Sequence, residues 1–250
     1  STILAKQVGG YAELGLFTAA NQWRIILLFL PNLLGSVALP ILAETWGRGE
    51  SERVKRFVSQ LFRLLWTFFL PVVIVLIGLS KIIMGWYGQG FQVGYAVMIA
   101  LVLTAYVQLV LSLFGTLIAV YGKMWLGFLM NTGWAIVIIS SAYIFVKPYG
   151  AMGLAVAYLL AYIVHTAWTL AFGVNACGRQ LWRDVVAMIG ISTLLAFISV
   201  VIVSQGNTMF SVMASTFLGC VTVFGAWYFS PNGIKQSFVR LIATMLQKSH

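Results

Sequence analysis

Residues 18 to 36 read TAANQWRIILLFLPNLLGS, an apolar run of membrane length with one formal charge, Arg24, set inside it. On a helix at about 100° per residue, Thr18, Asn21, Arg24, Asn32, Gly35 and Ser36 share an arc of roughly a third of the circumference. Ile26, Leu30, Leu33 and Val37 hold the opposite arc. A spanning helix built this way is expected to face lipid on one side and a polar cavity on the other.

The rest of the chain has the same character. It is 61% hydrophobic and 8% charged, far from the ~25% charged residues of soluble domains. Apolar runs of about 20 residues recur, whereas the alternating segments of a membrane barrel do not. The expected class is all-α, a polytopic transmembrane helix bundle with about seven spans. These lie near 11–43, 61–83, 95–120, 125–146, 151–174, 185–204 and 208–229. Residues 1–10 read as the end of a preceding helix closed by Gly9-Gly10. Residues 11–174 then form a five-span bundle, 175–229 add two spans, and 230–250 form a basic amphipathic tail with Ile234, Phe238, Leu241 and Met245 on its apolar stripe. Pro31 and Pro40 fall in the first span, where a tilt or a kink at Pro31 is expected. Glu44–Gln60 is the one long hydrophilic connection, and its Glu50 and Glu52 are expected to pair with neighbouring bases.

The net charge of +10 would point to nucleic acid in a soluble protein, but here the bases sit in short connections between apolar runs. They act as orientation signals. With alternate connections on the same side, one side collects ten Lys and Arg residues (48, 53, 55, 56, 123, 179, 183, 235, 240 and 248) and the other collects Lys6, Lys81 and Lys147. The first side, with the C-terminus, is expected to be cytoplasmic. Trp86, Tyr87, Trp125 and Tyr149 lie near predicted span ends, as an interfacial belt requires. Cys177 and Cys220 are far apart and without metal-ligand spacing. Free thiols are expected.

The stretch Val8–Glu50, with its VGGY turn leading into a long helix and a basic loop, resembles the middle of bacterial polysaccharide flippases of the Wzx type. These belong to the multidrug/oligosaccharidyl-lipid/polysaccharide exporter superfamily. Tyr121-Gly122-Lys123 followed by Asn131, and the run YGAMGLA at 149–155, resemble later turns of the same family. The resemblance implies the C-terminal bundle of a two-bundle exporter in the bacterial inner membrane. It further implies a lipid-linked oligosaccharide as substrate, with membrane lipids, the N-terminal bundle of the same chain and polysaccharide polymerase machinery as partners. No cofactor, metal or nucleic acid is implied, and no catalytic set of residues is present.

Arg24 is the sharpest single signal, because an Arg at a helix centre costs about 2.5 to 3.5 kcal/mol on insertion scales. Two readings stand. The guanidinium binds the pyrophosphate of a polyprenyl-linked sugar through its forked donors, or it snorkels to the outer interface near Phe17, which lies 7 residues from Arg24, roughly 10 Å at 1.5 Å per residue. Asn21, Asn32, Thr104 and Gln108 are the other candidate substrate contacts, with helix-to-helix hydrogen bonding as their alternative role. His165, on a face with Tyr158, Tyr162 and Thr169, is a candidate proton relay or a hydrogen-bonded core histidine. Glu13 reads as a solvated cap. A cation-coupled multidrug exporter of the same superfamily needs acidic cavity residues, and a glycan polymerase or transferase needs carboxylates or a sizeable loop. The span interiors contain neither.

Overall fold

A computed structural model describes residues 10–177 and 179–229. Among them the chain is helical apart from short turns, with no strand. Helix α1 spans Gly10–Gly47, α2 Ser51–Trp86, α3 Tyr95–Val120, α4 Met124–Cys177, α5 Arg179–Ser204 and α6 Thr208–Phe229, with a 3-10 turn at Gln89–Gly94. The expectations for the chain before Gly10 and for the tail from Ser230 lie outside the described residues, as do the side chains of Arg179 and Arg183.

Among the described residues, four helical segments are long and apolar enough to cross a membrane. The last of these, Met124–Gly173, is 50 residues long, or about 75 Å at 1.5 Å per residue, against a hydrocarbon core of about 30 Å. It is folded in two. Gly150 has φ +51° and ψ −129°, a backbone state open to glycine and strained for any residue with a Cβ. On either side of it the arms run antiparallel: Trp134 packs on Tyr162 with ring centroids 5.4 Å apart, and Thr169 Oγ1 reaches Met130 Sδ at 3.9 Å. The spans expected near 125–146 and 151–174 are therefore the two arms of a helical hairpin. The apolar stretches of α5 and α6, Ile189–Ser204 and Thr208–Thr222, are shorter.

One expectation needs correcting. The segment 44–60 is not a long connection: α1 continues to Gly47 and α2 begins at Ser51, leaving a turn at 48–50 with Gly49 at φ +77°. The charges explain it. Glu44 pairs with Arg48 at 2.5 Å, Glu50 with Arg53 at 2.8 Å and Glu52 with Lys55 at 2.7 Å, all at i,i+3 or i,i+4, the spacing at which opposite charges support a helix. The pairing expected for Glu50 and Glu52 is present. Helix α1 includes Pro31 and Pro40 within its 38 residues.

Helix α3 forms the middle of the assembly, touching α1, α2 and α4, while α5 and α6 close on the other side of α2. The apolar window of α3 is 69% buried and that of α2 56%, against 28% for α1 and 22% for α4. Small residues let the helices approach. A Cβ at Gly78 of α2 would overlap Ser215 of α6, one at Gly133 would overlap Trp168, and one at Gly173 would overlap Phe114, the close-contact role of small residues in membrane helices. Large apolar side chains such as Phe29, Leu30, Ile136, Ile139, Phe197 and Phe217 remain exposed, as expected of helices surrounded by lipid.

The connections separate into two ends. At one end Trp46 packs on Tyr121 at 4.3 Å, Tyr121 lies 6.1 Å from Phe172, and Lys123 sits over the Phe172 ring at 5.2 Å. This is the end of Arg48, Arg53, Lys55 and Arg56. At the other end Glu13 meets Ala151, Gly15 lies under Phe91, and Lys81 donates to the Val203 carbonyl at 3.0 Å while resting over Tyr95 at 4.9 Å. Lys81 thus serves the exposed carbonyl end of α5, where a cation complements the helix dipole. Trp86, Trp125 and Tyr149 are exposed at these ends, in the belt positions read from the sequence.

Candidate functional site

Arg24 lies 11 residues beyond Glu13 on α1, about 16 Å along the helix at 1.5 Å per residue, within the apolar run at 18–36. Its packing face is set by Phe17, Ala20, Leu27, Leu28, Pro31, Ala38 and Leu42, all buried. Arg24 falls within this stripe. The side chain is consequently turned toward α3 and α4, where it meets Gln108 and Tyr158.

Its guanidinium is held from three directions. Nε donates to Asn21 Oδ1 at 2.7 Å, and Nη1 donates to Gln108 Oε1 of α3 at 2.7 Å. The plane of Tyr158, on the second arm of α4, lies under the guanidinium carbon at 5.4 Å from the ring centroid. Tyr162, one turn on, lies near enough for the charge of Arg24 to act on its hydroxyl. Every one of these partners is uncharged. Among the described residues the ion pairs lie between Glu44 and Lys55, and Arg24 has no carboxylate partner. An Arg carries five donors in a planar fork. The amides and the ring fix its position without neutralising it, leaving part of the fork for an anionic oxygen.

Of the residues singled out in the sequence, Asn21, Arg24 and Gln108 come together. Asn32 does not join them: it is exposed on α1, as are Thr18 and Ser36, about 80° or more around the helix from Arg24. Thr104 is buried one turn from Gln108, and its hydroxyl bonds the Ala100 carbonyl at 2.8 Å. It faces the core between helices. His165 is buried, its ring 6.5 Å from Trp134 and its Nδ1 without a partner. The face shared by Tyr158, Tyr162, His165 and Thr169 exists, but it divides its contacts: Tyr158 meets Phe17 at 5.6 Å and Arg24, Tyr162 lies between Arg24 and Trp134, and His165 and Thr169 lie against Trp134 and Met130 of the first arm.

Sequence reasoning placed the tyrosines around His165 and missed them as partners of Arg24. Spacing within one helix carries no record of which helix will face it. Trp134, whose indole Nε1 is buried without a partner, was also missed. Among the described residues no three His, Cys, Asp or Glu side chains converge as a metal site would require, and Cys220 is a free, exposed thiol.

The bond from Arg24 to Gln108 gives a direct measurement. Gln108→Leu removes a neutral acceptor from a charged donor, a loss expected to cost about 1.5 to 3 kcal/mol. In a double-mutant cycle of thermal stability, Gln108→Leu and Arg24→Ala should be strongly non-additive. Additive effects would show that the bond is not made.

Two curated relatives align with this chain, each named EPS I polysaccharide export inner membrane protein EpsE. The protein from Ralstonia nicotianae is 31% identical over 168 residues, and that from Ralstonia solanacearum is 29% identical over 168 residues. The alignment takes in 64% of this chain and 37% of each relative, so it spans well under half the length of those proteins. No known family model matches the chain.

Proposed function

We propose that this chain is part of a polysaccharide exporter of the bacterial inner membrane, flipping a polyprenyl-pyrophosphate-linked oligosaccharide to the outer leaflet by alternating access. The observation that carries the reading is the uncompensated Arg24 guanidinium, held within an apolar helical segment by Asn21, Gln108 and Tyr158. An intramembrane cation positioned by neutral groups suits a transported anion, and a forked guanidinium suits a diphosphate better than an ammonium would. The names of the two relatives support the coarser part, export of polysaccharide at the inner membrane. Asn32 and the exposed polar side of α1 then border the passage for the sugars, and Thr104 backs Gln108. His165 is the candidate proton relay of this reading.

In this reading the hairpin arms, α5 and α6 all cross, making seven spans with the basic end in the cytoplasm. The chain supplies one bundle, a second bundle of the same polypeptide faces α1, and the polymerase machinery takes up the product. The multidrug reading fares worse, since acidic side chains are missing from the span interiors.

Mass spectrometry of lipids retained by the purified full-length protein tests the substrate class. Polyprenyl-diphosphate glycans are expected, and retention of ordinary phospholipid alone would count against the proposal. Orientation has its own check. Ser51→Cys at the basic end should react with a membrane-impermeant maleimide only after the cytoplasmic side is opened, and labelling in intact cells would reverse the topology.

A further inference from the structure

Glu13 is the one acidic residue among the described residues of α1 before its charged last turn, and it is not spent on solvent. Its Oε2 accepts the backbone N–H of Ala151 at 2.7 Å, a contact across 138 residues. Ala151 opens the second arm of the hairpin, where the first-turn N–H groups of a helix have no acceptor of their own. The positive-φ Gly150 is what admits the carboxylate: a Cβ at that position would run into Glu13 Oε2 and Cδ. One side chain of α1 thus caps a helix start made 138 residues later.

The contact also sets a register. Along α1 from Glu13, Phe17 meets Tyr158 at 5.6 Å and Arg24 meets Tyr158 and Tyr162. Glu13 to Arg24 and Ala151 to Tyr162 are both intervals of 11 residues, so two helices rising about 1.5 Å per residue run parallel and in step from the cap to the cation. A slide of α1 by one turn, about 5.4 Å, would take Arg24 off the Tyr158 ring.

We propose that Glu13 is a positioning residue for the Arg24 site, clamping the start of α1 to the hairpin at Ala151 so that Arg24 is presented against Tyr158 and Tyr162. The proposal rests on the reading of Arg24 as the diphosphate-binding group, and its first measurement does not depend on that reading. Because the clamp needs an oxygen acceptor at that reach and not a carboxylate as such, Glu13→Gln keeps it in weaker, uncharged form. Glu13→Ala removes it.

The test uses the full-length protein in lipid nanodiscs. Hydrogen exchange of the segment 150–153 reads the clamp, and binding of geranylgeranyl diphosphate reads the site. Glu13→Ala is expected to speed exchange there about tenfold and to weaken diphosphate binding severalfold, with Glu13→Gln within about threefold of wild type in both, following the loss or retention of one charge-assisted bond. Glu13→Asp, a methylene shorter, should show both effects in lesser degree and serves where the Ala variant does not accumulate. Unchanged exchange in Glu13→Ala overturns the clamp whatever Arg24 does. Faster exchange with undiminished binding, in a protein whose binding Arg24→Ala abolishes, overturns the positioning role. If Arg24→Ala leaves binding intact, the diphosphate reading fails and the positioning role fails with it, while the exchange measurement still decides whether the clamp exists.

Discussion

Arg24→Ala in the full-length protein is expected to abolish surface glycan in a complementation assay while the protein accumulates in the membrane at its normal level. Removing the charge relieves an insertion cost of about 2.5 to 3.5 kcal/mol, so lost activity cannot be assigned to a span that inserts less readily. The variant also releases the Asn21 and Gln108 amides, whose acceptors now point at Arg24. Losing the charged bond to Gln108 carries a stability penalty of the same order as losing a phosphate contact, each about 1.5 to 3 kcal/mol, so the protein level in the membrane is measured beside the glycan. Arg24→Lys should restore part of the activity, because an ammonium binds phosphate as a point charge but cannot reach Asn21 and Gln108 together in the fork geometry. A residue that only anchored the helix would tolerate either change. Wild-type surface glycan from a normally expressed Arg24→Ala protein would end the phosphate reading.

Gly153→Ala is expected to be the most damaging small substitution in the hairpin. Helix propensity alone favours Ala over Gly by about 1 kcal/mol, so the intrinsic preference runs the other way. The new Cβ, however, would overlap the carbonyl of Phe145 and approach Val146 N at 3.0 Å. These are backbone atoms of the opposing arm and cannot turn aside as a side chain would. Overpacking of this kind costs about 1 to 3 kcal/mol and at times more, and here it is relieved only by opening the turn that carries Gly150 and Ala151. Thermal unfolding in detergent should show a clear loss of stability relative to wild type. Gly127→Ala is the comparison, since its Cβ would meet only Ile118 Cγ2 at 3.5 Å, an ordinary contact, and it should match or exceed wild type. Equal stability of the two variants would mean that the arms do not close as described.

Much of this architecture is local and therefore legible. Apolar runs of about 20 residues are helical because a bilayer leaves the backbone no partner but itself, and the turns at Gly49, Gly122, Gly150 and Gly206 all have positive φ where glycine was available to take it. The two-ended distribution of Lys81, Lys123 and the 48–56 cluster follows from alternation alone. Arg24 announced itself by its cost. Even the error over 44–60 was local, since the i,i+3 and i,i+4 spacing of its charges was there to be read as helix.

What surrounds Arg24 was not legible in that way. Gln108 lies 84 residues from it and Tyr158 farther still, and the stripe that predicted Asn32 as a companion of Arg24 is offset from the face on which α1 packs. In a soluble protein the buried face of a helix differs from the exposed one in polarity. In a membrane both faces are apolar, so small residues, close backbone approach and single hydrogen bonds decide which surfaces meet. The sequence by itself determined that these segments are membrane-type helices, where most of them turn and that one of them carries an expensive charge. Only the tertiary structure decided that Gln108, Tyr158 and Tyr162 receive that charge and that Glu13 caps the hairpin, because those contacts depend on the shape with which whole helices fit together.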